Sequence, residues 1–135
     1  MTAQAVRERV GGAWVERSDG WWCSVRSGEI LAIARAVRVD GVRFAALTLF
    51  PEGDRMRFAW HWDCEGVLLT AEALADPGQA IPSIAGTWPG ADWAEREARD
   101  YYAVSFEGRD STPPLMLREA EAPGVLLRPG GKEQA

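Results

Sequence analysis

Residues 88–108 read WPGADWAEREARDYYAVSFEG, from Trp88 to Gly108, and the chain has no denser mix of aromatics and paired charges. Asp92 stands where a helix N-cap is expected, and Glu95 three residues later completes a box-like arrangement that satisfies the first free amides. The spacing predicts a helix from about Trp93 to Tyr102. On a helical wheel Ala94, Ala98, Tyr101 and Tyr102 share one face, small enough at its centre to lie against a sheet. Trp93, Arg96 and Asp100 fall on the opposite side at i, i+3 and i+7, with Glu97 beside them, and Glu95 and Arg99 can pair at i, i+4. A tryptophan among charges, turned away from the protein's own sheet, has the character of a docking face. The alternative is a solvated charged face with one half-covered tryptophan, and spacing alone leans that way.

The sheet that this helix would cover is written upstream. Arg43–Phe50 is almost entirely apolar and reads as an inner strand. Pro51-Glu52-Gly53-Asp54 is a turn. Arg55–Cys64 then alternates without a fault: Met56, Phe58, Trp60, Trp62 and Cys64 line one face, and Arg55, Arg57, Ala59, His61 and Asp63 the other. Glu65-Gly66 turns the chain into a third strand, Val67–Thr70. Earlier, Thr2–Val10 forms a short helix ending at Gly11-Gly12, and Ser18-Asp19-Gly20 joins two short strands, Ala13–Arg17 and Gly20–Val25. Ser27 caps a helix over Gly28–Val39 whose Ile30, Ile33, Ala34 and Val37 have helical spacing. Residues 71–82 read as a loop. The proline-rich stretch after Phe106 wraps the surface in extended form, and Pro129–Ala135 is expected to be disordered. The chain is therefore read as α+β: two layers, a mostly antiparallel sheet covered on one face by helices, in one domain over residues 1–128.

Composition narrows the function. With 135 residues, 47% hydrophobic and 26% charged, the chain has the balance of a folded domain. A net charge of −5 argues against general affinity for nucleic acid or anionic lipid. No signal peptide is evident, and apolar runs such as Phe44–Phe50 fall far short of the ~20 residues of a membrane span. Any link to a membrane is expected to run through another protein. Cys23 and Cys64 read as free buried thiols. His61 is the chain's one histidine, and with Asp63 it offers two ligands on one strand face, too few for zinc. Glu95 and Glu97 diverge on a helix, which does not suit an acid pair. Gly11-Gly12 and Gly130-Gly131 lack phosphate-loop spacing.

The run Trp93-x-Glu95-Arg96-Glu97-x-x-Asp100, continued by Tyr101-Tyr102-Ala103-Val104-x-Phe106-x-Gly108, resembles the motif of the 30 kDa subunit family of NADH–quinone oxidoreductase (complex I). That family includes the equivalent small subunits of energy-converting membrane-bound [NiFe] hydrogenases. Ile81-Pro82-Ser83-Ile84 and Trp88-Pro89-Gly90-Ala91 resemble its approach to the motif, so the likeness covers roughly residues 27–118. It departs at Ala103, where the family usually has Gly, and at Gly108-Arg109-Asp110-Ser111, where the family continues Gly-His-Pro-Asp and a basic pair. The family's long C-terminal extension is not matched, which admits a hydrogenase-type complex beside a standard complex I.

The resemblance implies a protein with no cofactor, metal or catalytic residue of its own, held in the cytoplasm against the inner membrane through its complex. Its partners would be a hydrogenase-large-subunit-like (D-like) protein and neighbouring iron–sulfur proteins, which carry the clusters and the quinone or nickel–iron site. Trp93, Glu95, Arg96, Glu97, Asp100, Tyr101, Phe106 and Gly108 would be the motif and interface residues. The alternative is a free-standing interaction module that kept the fold outside a respiratory complex.

Overall fold

Strand β4 (Arg55–Cys64) is the middle of the molecule, and its alternation is realised: Phe58, Trp60, Trp62 and Cys64 are each at most 1% exposed. A computed structural model describes residues 1–127 and gives three helices, α1 (Ala3–Val10), α2 (Ile30–Ala36) and α3 (Ala91–Tyr102). With β4 are β1 (Trp14–Arg17), β2 (Gly20–Ser24), β3 (Val42–Glu52) and β5 (Val67–Ala75), ordered β1-β2-β5-β4-β3 in one sheet. Two further short strands, β6 (Ile81–Pro82) and β7 (Phe106–Glu107), pair in parallel beside α3. Val6 of α1, Ile30, Ile33 and Ala34 of α2, and Ala91 and Ala98 of α3 join one apolar cluster with the Phe58/Trp60/Trp62 face of the sheet. The fold is thus α+β with the helices on one face, as expected. Among the described residues no helix is long and apolar enough to cross a membrane. The expected disorder of residues 129–135 lies outside the described residues.

Several expectations are corrected. The segment β3 is an edge strand, not an inner one. Its continuous apolar run arises from a register shift between Phe44 and Ala46: Phe44, Leu47 and Leu49 sit opposite Trp62, Trp60 and Phe58, all on the core face. The third strand does not stop at Thr70 but continues to Ala75, into the stretch read as loop. Alanine is a poor strand former, and here it is overridden by pairing with β4 on one side and β2 on the other. Ala71, Ala73 and Ala75, each at most 3% exposed, form the core face of β5.

The β2–β5 pairing is parallel, and sequence proximity offers no sign of it. It brings the chain so close at Gly20 that a Cβ there would lie 2.2 Å from the Leu68 carbonyl oxygen. The helix expected over Gly28–Val39 is shorter: Ser27–Glu29 forms a single 3-10 turn before α2. Ser27 is not a cap, and its hydroxyl instead accepts from the Gln79 amide at 2.7 Å. The hairpin between β1 and β2 forms as read, with Arg17 opposite Gly20.

Two contacts fix the central stretch on this scaffold. The Trp88 indole N–H donates to the Ala34 carbonyl at 2.8 Å, and its ring packs against Trp62 with centroids 6.3 Å apart. Trp88 therefore anchors the entry to α3 on both the α2 helix and the central strand.

Candidate functional site

Helix α3 begins at Ala91, with Gly90 as its N-cap and no side-chain cap. Asp92 thus lies in the first turn rather than at the cap, where its charge still suits the helix dipole. Its carboxylate is bound by Arg109, at 2.5 Å, and approached by Arg96 at 3.6 Å. At the other end the helix closes on Ala103 in the left-handed region, φ +56°.

Glu95 is completely buried. One carboxylate oxygen accepts the Ser83 hydroxyl at 2.6 Å and the Arg109 guanidinium at 2.8 Å, and the other accepts the Ile84 amide at 2.8 Å. A buried carboxylate is tolerated only when donors converge on it, and these three do. They tie α3 to the segment that follows β6 and to the loop after β7. The expected Glu95–Arg99 pair is not made, because Glu95 points inward to Arg109 while Arg99 turns to Asp100 at 3.0 Å.

Asp100 is also completely buried, which overturns its assignment to an outward face. Its Oδ2 accepts the amides of Leu115, Met116 and Leu117 at 3.0, 2.7 and 3.2 Å, and its Oδ1 accepts from Arg99. Burial pushes this carboxyl up, but the three amides and Arg99 outweigh that and hold it below the ordinary aspartate value. Arg96 is not free either: it donates to the Pro113 and Pro114 carbonyls at 3.3 and 2.8 Å. Together Arg96 and Asp100 grip residues 113–117 along the helix.

The other motif residues divide by exposure. Phe106 is buried in β7, and Gly108 takes φ +84°, turning the chain toward Arg109. Tyr101, grouped by the wheel with the sheet-facing Ala94 and Ala98, is only half-buried, and its hydroxyl lies 3.6 Å from the Met116 sulfur on the segment after β7. Trp93, 67% exposed, and Glu97 face solvent. Of the four residues placed on an outward face by the wheel, only these two stand fully there. The residue that sequence reasoning missed is Arg109, which occupies the departure from the family pattern and neutralises two α3 carboxylates.

His61, Cys23 and Cys64 lie outside this network. His61 sits between the hydroxyls of Thr48 and Thr70 at 2.9 and 2.7 Å on the helix-free face of the sheet, and burial lowers its pKa against the pull of Asp19. Cys23 and Cys64 are free and buried, and burial first, then nearby glutamates, raises both thiols, the opposite of activation. Among the described residues no group of three or more His, Cys, Asp or Glu could hold a metal.

Comparison with known proteins places this geometry. The family described as respiratory-chain NADH dehydrogenase, 30 Kd subunit, matches residues 23–129. The C subunit of NADH-quinone oxidoreductase from Phenylobacterium zucineum is 56% identical over 40 residues, 30% of this chain and 19% of that protein. The C/D 2 subunit of the same enzyme from Aquifex aeolicus is 44% identical over 39 residues, 29% of this chain and 7% of that protein. The chain therefore spans a small part of the length of the curated relatives it matches. A protein of the membrane-bound sulfane sulfur reductase, an archaeal respiratory membrane complex, has the same fold: the TM-score is 0.72 at 18% identity, over 87% of this chain and 76% of that one. With the match extending from β2 to beyond the 3-10 turn at Val125–Leu127, this chain belongs to the family of the 30 kDa subunit of respiratory-chain NADH dehydrogenase.

Proposed function

We propose that this chain is a non-catalytic subunit in the peripheral arm of a complex I-like NADH:quinone oxidoreductase or a related energy-converting hydrogenase. In that role it docks the large subunit that forms the quinone or nickel site. The observation that carries this reading is the family match across residues 23–129. The fate of the motif's ionisable groups supports it, because Glu95 and Asp100 are spent on bonds within the chain rather than arranged about a substrate. A relative whose name joins C with D supports a D-like protein as the neighbour. The electron-transfer chemistry then belongs to partner-bound iron–sulfur clusters and the quinone or nickel–iron site, with this chain supplying shape and contacts. We place its attachment to the membrane in those partners.

The test is purification of the tagged chain from native membranes, with the co-purifying proteins identified by mass spectrometry and assayed for NADH:quinone and hydrogen-evolving activity. Recovery with a D-like protein and iron–sulfur proteins is expected. Recovery of the chain alone refutes the proposal and favours a free-standing interaction module.

A further inference from the structure

The charges of α3 are nearly all consumed inside the chain. Asp92 and Glu95 bind Arg109, Asp100 binds Arg99, and Arg96 holds two proline carbonyls while leaning on Asp92. Glu97 is the exception: it is exposed, and it stands outside every ion pair among the described residues. On either side of it, four residues away, lie Trp93 and Tyr101, so the three form one strip about 12 Å long. Trp93, at 67%, is the most exposed large apolar side chain among the described residues. Met116, 54% exposed and in contact with the Tyr101 hydroxyl, extends the strip onto the segment gripped by Arg96 and Asp100.

We infer that the Trp93–Glu97–Tyr101–Met116 strip receives a protein partner presenting an apolar pocket for Trp93 edged by a lysine or arginine for Glu97. This deepens, and rests on, the docking role proposed above. The apolar ends call for burial, since exposed tryptophan is the side chain most often found at the energetic centre of an interface. The acid between them makes no ion pair among the described residues and sets the sign of the partner. A second copy of this chain does not fit: an isologous contact sets the strip against itself, glutamate near glutamate, on two bodies each carrying a net charge of −5. The same negative charge disfavours nucleic acid.

The experiment uses the complex purified from native membranes through tagged wild-type, Trp93→Ala, Glu97→Gln and Glu97→Lys chains, together with a chain carrying a benzophenone photo-crosslinker at position 93. The crosslink is expected on a partner peptide that contains Lys or Arg. Trp93→Ala and Glu97→Lys are expected to lower partner retention roughly tenfold or more, Glu97→Gln less, with melting temperatures unchanged because both side chains are exposed. Reversing the crosslinked cation to Glu is expected to restore Glu97→Lys. If the wild-type chain retains a partner but all three variants retain it equally, this inference fails while the docking role stands. A crosslink to a second copy also overturns it. If the wild-type chain retains no partner, the docking role fails first.

Discussion

Replacing Asp100 by alanine removes the acceptor on which the segment after β7 is hung. Four donors are affected: the amides of Leu115, Met116 and Leu117 and the Arg99 guanidinium. Hydrogen bonds to a charged group contribute about 1.5–3 kcal/mol each when their loss leaves a buried partner unsatisfied. Here the segment lies near the surface, with Met116 exposed, so its released amides regain water and the sum does not apply. The expected loss is about 3 kcal/mol in urea unfolding, equivalent to a fall in Tm of about 10 °C for a domain of this size. Its location is the sharper test. Amide exchange at Leu115–Leu117 is expected to accelerate far more than exchange in β4, because β4 is held by its own ladders to β3 and β5.

The pH dependence follows from the same geometry. The folded pKa of Asp100 lies below its unfolded one. The carboxylate therefore contributes fully above the unfolded value of about 4, and that contribution is lost as pH falls through the folded value. The stability gap between wild type and Asp100→Asn is expected to be flat above a pH of about 5 and to close in the acid limb. Unchanged protection at Leu115–Leu117 in Asp100→Ala, or a loss below about 1 kcal/mol, refutes the assignment of Asp100 as the clamp.

Three further outcomes are expected. Arg109→Met leaves Glu95 buried beside only Ser83 and the Ile84 amide, so stability should fall by about 3–5 kcal/mol, and adding Glu95→Gln should recover part of it in denaturant titrations. Ala103→Gly relieves a left-handed C-cap that costs alanine about 1 kcal/mol, and thermal melts should show a rise of a few degrees. Gly20→Ala would drive a methyl into the Leu68 carbonyl, so amide exchange should show the β2–β5 pairing opening, with a loss of at least about 2 kcal/mol.

What was legible and what was not follows from range. The alternation of β4 is a local signal, and the burial of Phe58, Trp60 and Trp62 on one face follows from it directly. The helix α3 was legible for the same reason, from a run of helix formers closed by a change of pattern. Strand β5 was half hidden, because Ala71–Ala75 has no strand propensity and is extended only through its neighbours. The face of Asp100 and the partner of Glu95 were misassigned because a helical wheel turns charges outward by default. Apart from Arg99, their donors come from irregular segments 11 to 17 residues away, where no periodicity announces them. The resemblance marks Arg109 as a break in the pattern, and the structure shows the break still supplies a cation to Glu95.

The burial of Asp100 and Glu95 also gives the proposed docking role a reason for the many charges on α3. A surface that binds by its exposed side chains gains affinity when those side chains are already held in place, since ordering them at the moment of contact opposes binding. Residues 113–117 contain two prolines and no regular structure, so nothing intrinsic would hold Met116 beside Tyr101. Asp100 and Arg96 do so by taking three amides and two carbonyls of that segment. Glu95 and Arg109 do the same for the loop at the helix's other end. Under the proposed docking role, the buried half of the motif is the mount, and its exposed half, Trp93 and Glu97, is what the mount presents. On this account substitutions in the two halves differ in kind. Those at Asp100 or Glu95 lower stability and docking together, whereas those at Trp93 or Glu97 lower docking with the fold intact. Measuring Tm and partner retention on the same four variants separates the two halves, and a loss of stability at Trp93→Ala as large as that at Asp100→Ala contradicts the division.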